Sequence, residues 1–320
     1  MNQVYHNAFF AMNTRCSVVF PYTEHRLGER VFHDLKMEAV RIESKLSRFL
    51  PNSELSRINK QAYEKPVRPD DELFEILATC EKYHELTGGA LDITLRPLMN
   101  YWNRQAEEKE TDAGPSLQEL FKHVGMNHLH IDDKRRTVSF DNEHIEIDLG
   151  GVGKGYTLNM MEELIRKRGI ENAFISFGES SVLTMGHHPA GDHWKVSINN
   201  YQRPGNSIHE FAFNDGSIST SANFFLTDRG RLQNHRHVID PFKGAPIEDC
   251  ISVTAYNRSP LVAEMLSTPF LVSTGEQIQK TLKRMDDTTA VSVDYSTSSP
   301  QVKQFKNSNN NNFDEAIAWV

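Results

Sequence analysis

The tightest constraint on how this chain can fold is an alternating run that empties into four closely spaced glycines and a lysine. Residues 143–149 alternate polar and apolar, as a half-buried strand does, and Gly150-Gly151-Val152-Gly153-Lys154-Gly155 follows at once. A helix is then expected from about Gly155 to Gly169, with Leu158, Met161, Leu164 and Ile165 inward. Such a unit brings backbone N–H groups and a helix N-terminus to one point where an anion can sit, and Lys154 adds a full charge. It is not a P-loop, because Gly155 rather than Ser or Thr follows the lysine and the glycine spacing differs. The G-x-G-x-x-G spacing of dinucleotide folds is also missing. Set against phosphate binding stands a plain steric reading, a tight turn that needs glycine, and the pattern alone does not separate the two.

The flanking pattern predicts a mixed architecture. Residues 27–50 read as a helix whose stripe is Val31, Leu35, Ala39, Ile42, Leu46 and Phe49, stopped by Pro51-Asn52. A second helix runs from Asp70-Asp71 to Thr87, buries Leu73, Ile76, Leu77 and Cys80, and exits through Gly88-Gly89. Another starts near Pro260. Strands are expected at 128–131, 137–140, 143–149, 173–177, 194–198, 251–256 and 290–293, and at 210–220 around an Asn214-Asp215-Gly216 turn. Irregular alternation with hairpins gives an α+β fold of mixed sheets with packed helices, not a doubly wound parallel sheet. The 320 residues suit one domain, or two intimate lobes, with 296–312 a flexible polar loop.

Composition removes several functions. A net charge of -8 argues against a general nucleic-acid binder. Cys16, Cys80 and Cys250 form no CxxC pair, so neither a zinc knuckle nor a redox dithiol is expected. No segment reaches the roughly 18 apolar residues of a membrane span. Residues 1–14 lack the pattern of a signal peptide, which favours a cytoplasmic protein, or a periplasmic or membrane-anchored one if a leader has been removed.

Three further segments carry chemistry. In Gly88-Gly89-Ala90-Leu91-Asp92-Ile93-Thr94, followed by Arg96-Pro97-Leu98, Asp92 either accepts from a ribityl or ribose hydroxyl or caps a turn. In 234–241, His237 is a candidate base or phosphate contact, ahead of an HxH metal reading with His235. In the helix from Pro260, Glu264 and Thr268 share a face as hard oxygen donors of the kind magnesium takes, or make a local contact on a solvated face.

Taken in order, these blocks resemble the ApbE family, the FAD:protein FMN transferases. The likeness rests on Met12-Asn13-Thr14; Leu46-Ser47-Arg48-Phe49 with Asn52-Ser53-Glu54-Leu55-Ser56 and Asn59; Gly88 to Asp92; Asp148 to Gly155; and His237 to Gly244 followed by Ala263 to Thr268. It implies an ApbE-like (T-fold-like) α+β fold and FAD as substrate. Met12, Phe49, Ala90, Leu91, Asp92, Asp148, Lys154 and Val238 would hold the flavin nucleotide. Mg²⁺ would sit between the Gly151 carbonyl, Glu264, Ser267 and Thr268. Lys154 and His237 would be catalytic, and the partner would be a flavoprotein with an acceptor Ser or Thr. Two alternatives are an FAD pyrophosphatase giving FMN and AMP, and a non-catalytic flavin-binding protein. The chain departs from the family pattern at Glu264, where Asp is usual, at Pro269, at Gly178-Glu179 in place of paired glycines, and at Arg236 in place of a first His.

Overall fold

Eight strands lie side by side in the order in which the chain makes them. The computed structural model describes residues 3–22, 24–106, 116–203, 205–227 and 231–307. The strands are β1 (Gln3–Ala11), β2 (Thr14–Tyr22), β3 (Ala173–Phe177) and β4 (Ser181–Met185). They continue as β5 (Gly216–Ala222), β6 (Ile251–Asn257), β7 (Thr289–Asp294) and β8 (Gln301–Lys306). Every neighbouring pair in this sheet is antiparallel.

Helices fill the gaps between strands. Between β2 and β3 come α1 (His25–Leu46), α2 (Glu54–Gln61), α3 (Asp71–Leu86), α4 (Arg96–Ala106), α5 (Leu117–Phe121) and α6 (Gly153–Lys167). Between β6 and β7 come α7 (Pro260–Val272) and α8 (Gly275–Leu282). Val31, Leu35 and Ala39 of α1 and Leu158, Met161 and Ile165 of α6 bury Val18, Phe20 and Ile175 of the sheet. Met265 and Leu266 of α7 share a core with Val253 and Ala255 of β6. The opposite face, with Val182, Ile218 and Tyr256, packs against Ile198, Phe211 and Phe213 of the hairpin Trp194–Asn199 and Ser207–Phe213. This is the α+β arrangement the pattern predicts, and the predicted exit of α3 holds too, with Gly88 (φ +63°) and Gly89 (φ +92°) left-handed. None of the described helices is long and apolar enough to cross a membrane.

Four expectations need correcting. Residues 143–149 belong to no sheet. Ile145, Ile147 and Leu149 are buried as the alternation requires, but the partner is a side chain: the Asn59 amide donates to the Ile147 carbonyl (2.9 Å) and accepts from its N–H (2.8 Å). Asn59→Ala therefore strands two buried backbone groups and should lower stability by about 2–4 kcal/mol, read as a shift in the urea midpoint.

The strands around Asn214-Asp215-Gly216 form no hairpin, because Phe213 pairs with Trp194 and Gly216 with Thr184 in a different sheet. Gly216 (φ +148°) makes the corner, and a Cβ there would sit 2.7 Å from the Tyr256 hydroxyl. Within 296–312, residues 301–306 form edge strand β8 rather than a loop, held by backbone pairing to β7 without an apolar face to announce it; residues 308–312 lie outside the described residues. Finally, α1 ends at Leu46 because Ser47 turns extended (ψ 118°), so Phe49 leaves the buried stripe and is 66% exposed.

Candidate active site

A cleft of about 690 Å³ opens between the glycine loop, α7, the start of α4 and the hairpin on the sheet's other face. Helix α6 approaches α7 at a glycine. A Cβ on Gly155 would lie 2.6 Å from the Pro260 carbonyl oxygen and 2.8 Å from a Glu264 carboxylate oxygen, so only a residue without a side chain lets the two helices meet. Glu264 is 2% exposed. Its Oε1 lies 2.6 Å from Lys154 Nζ, and its Oε2 accepts the Gly155 N–H at the N-terminus of α6. An anion at a helix start beside a lysine is compensated twice.

One turn later, Thr268 reaches the cleft, and its hydroxyl is 2.7 Å from Ser221 Oγ of β5. A Cβ on Gly151 would be 3.9 Å from Thr268 Oγ1, so the loop and α7 face each other here. Ser267 is fully buried and does not line the cleft; its hydroxyl bonds Ser219 and Ser221 (3.3 and 2.8 Å) and the Glu264 carbonyl (3.1 Å).

The glycine loop is held from several sides. Asp148 accepts from the Gly150 N–H (2.9 Å) and pairs with Arg48 (2.8 Å). Glu72 of α3 accepts from Arg41 of α1 (2.7 Å) and from Tyr156 of α6 (2.8 Å), and the Arg41 contact chiefly holds its carboxyl down at about 2. Three helices are thereby tied together through Tyr156, two residues after Lys154 in the chain.

Ala90, Leu91 and Asp92 line the cleft, with Asp92 Oδ1 accepting from the Thr94 N–H (2.7 Å) and hydroxyl (2.6 Å). His237 and Val238 line it from the segment leading into strand Ile239–Asp240. The Nδ1 of His237 is buried and has no hydrogen-bond partner among the described residues. Burial first, then the nearby His235, pushes this imidazole down to about 4. At pH 7 the ring is neutral and can accept a proton.

Two expected flavin contacts lie off the cleft wall. Met12 sits at the tip of the β1–β2 turn with φ +49°, its sulfur 3.7 Å from Thr157 Oγ1, against the start of α6. Phe49 lies under the Arg48 guanidinium, which is 3.8 Å from the ring centroid and pairs with Asp148 of the cleft wall.

Residues that sequence reasoning gave no role are Arg48, Arg96 and the hydroxyl strand Ser217–Ser221. The last was legible as a near-continuous Ser/Thr run between Gly216 and Ala222. The two arginines carried no periodic signal. Among the described residues no three His, Cys, Asp or Glu side chains cluster as metal ligands.

Comparison with known proteins places the chain by sequence and by fold. The profile of the ApbE family matches residues 12–292. The FAD:protein FMN transferase of Vibrio cholerae is 29% identical over 239 residues, 72% of this chain and 70% of that protein. The Escherichia coli protein of that name is 27% identical over 248 residues, 75% and 70%. The solved flavin transferase ApbE from Vibrio cholerae has a TM-score of 0.81 at 21% identity, covering 96% of this chain and 98% of its own, a likeness of fold. The ApbE protein from Thermotoga maritima gives 0.79 at 25% identity over 99% and 100%.

Proposed function

The chain belongs to the ApbE family, and from that premise we infer that it is an FAD:protein FMN transferase that moves FMN from FAD to a Ser or Thr of a target flavoprotein and releases AMP. The observation that carries the reading is the meeting, in one cleft, of an anion-suited glycine loop with Lys154, oxygen donors on α7, and a neutral His237 whose buried Nδ1 has no hydrogen-bond partner among the described residues.

The chemistry divides among these groups. His237 accepts the proton of the acceptor hydroxyl as its oxygen forms a bond to the FMN phosphorus. The bond from that phosphorus to the bridging oxygen breaks, and AMP leaves with the electron pair. Lys154 and the N–H groups of the loop stabilise the charge on the phosphate oxygens. Asp148, held by Arg48, keeps the loop in shape for this.

Magnesium fits the donor set in kind. Thr268 and Gly151 face each other, Glu264 adds a carboxylate one turn back, and all three offer hard oxygens. Bound there, Mg²⁺ would neutralise the charge that develops on the leaving phosphate. Glu264 Oε1 would first have to give up Lys154, which frees the lysine for the substrate. Ser267, turned toward the sheet, supports Thr268 through Ser221 rather than offering a free hydroxyl.

Incubation with FAD, Mg²⁺ and an acceptor protein should leave the acceptor fluorescent after denaturing electrophoresis, with AMP in equal amount. FMN and AMP appearing without labelled acceptor would make the chain an FAD pyrophosphatase instead. FAD that binds and stays intact would make it a flavin-binding protein.

A further inference from the structure

Three cationic side chains stand at or beside the cleft, and two have partners. Arg48 is paired with Asp148 at 2.8 Å and Lys154 with Glu264 at 2.6 Å. Arg96, at the first position of α4, lines the cleft with no carboxylate within ion-pair distance among the described residues. Its Nε is buried and has no hydrogen-bond partner there.

The surroundings do not compensate for this. Burial, and then the positive charge of Arg48, hold the guanidinium below its usual range, and the attractions of Asp148 and Glu146 are smaller. A buried donor on a charged group is costly when it bonds to nothing. Proteins tolerate such a group where a ligand completes it.

The backbone beneath Arg96 is also fixed in advance. Asp92 ties down the Thr94 N–H and hydroxyl, and Thr94 Oγ1 in turn accepts from the Gly125 N–H (2.7 Å). The side chain therefore leaves a rigid turn two residues on, which limits the ordering cost of binding.

We propose that Arg96 is a substrate-binding residue that donates, through its planar fork, to a phosphate oxygen of the dinucleotide. The proposal rests on the FMN-transfer reading and extends it, since neither partnered cation need leave its carboxylate for the first capture of the substrate. A guanidinium suits this role because it offers parallel donors matched to phosphate and keeps its charge at any working pH.

The test compares Arg96→Met with the parent protein by titrating FAD, FMN, AMP and riboflavin, which has no phosphate. The expected result is a rise in the Kd for FAD of about tenfold to a hundredfold, the loss of one charge-assisted contact, with riboflavin affinity changed by less than about twofold. Whichever of FMN and AMP is weakened carries the phosphate concerned. Without ligand, the Met variant should melt at or above the parent temperature, because a half-buried charge with an unsatisfied Nε donor is gone. Arg96→Lys should fall between the two in FAD affinity, keeping the charge and losing the fork. Unchanged FAD affinity in Arg96→Met, or equal weakening of riboflavin, would overturn the proposal. Failure of the parent protein to bind FAD at all would instead overturn the FMN-transfer reading, so the two failures are told apart.

Discussion

Replacing His237 with alanine should slow FMN transfer by about a thousandfold at pH 7 while leaving FAD affinity within a few-fold, because a positioned general base contributes roughly 10²–10⁴. The expectation follows from the ring's situation. Its Nδ1 is buried with no hydrogen-bond partner among the described residues, so deleting the ring breaks no hydrogen bond at that atom and loses an edge-on contact with His235. The pH dependence gives a second readout. Burial and His235 push the imidazole down to about 4, so the unprotonated form persists through the mildly acid range and is lost only as pH falls through that value. The acid limb of single-turnover transfer should therefore fall near pH 4 rather than near the ordinary histidine value of about 6.5. It should vanish from the residual activity of His237→Ala. If the alanine variant instead loses FAD, His237 is a binding residue and the base lies elsewhere.

Glu264→Ala should destabilise the protein by about 3–5 kcal/mol, the range for removing one member of a buried pair. The carboxylate serves two groups at once: Lys154 Nζ at 2.6 Å and the Gly155 N–H at the start of α6. Its loss leaves a lysine beside a helix N-terminus, where positive charge is least welcome. The urea midpoint would report the drop. Adding Lys154→Met to Glu264→Ala should recover part of it, because the orphaned charge then disappears. If Glu264→Ala is as stable as the parent, the α6–α7 crossing is held by packing alone, and the carboxylate is free to serve a cation without competition.

The outcome shows which kinds of information a single chain carries in plain view. The helices with wide apolar stripes, α1, α3 and α6, were readable because burial on one face imposes a 3.6-residue period. Strands β3, β6 and β7 were readable from short apolar runs between turn residues. The N-terminal hairpin of β1 and β2 was not read, although its turn at Met12-Asn13 lay inside a block already singled out. Edge strand β8 is almost wholly exposed and polar, so only backbone pairing defines it. Residues 143–149 had the right alternation but the wrong partner, since nothing local announces that an amide 88 positions away replaces a strand.

The site divides along similar lines. Lys154, Glu264 and Thr268 were legible because their helices were, and helix spacing fixes which face they share. Phe49 was assigned to a helix that ends three residues before it. Arg96 followed a quoted glycine block, but its missing partner is a fact of three-dimensional packing, and no spacing rule encodes it.

A crystal structure of the protein with FAD and Mg²⁺ bears on all of this at once. The account expects the diphosphate in the cleft between Lys154 and Thr268, with Lys154 released from Glu264 and His237 facing the FMN phosphorus. A diphosphate bound away from the glycine loop, with the Lys154–Glu264 pair intact, would contradict it.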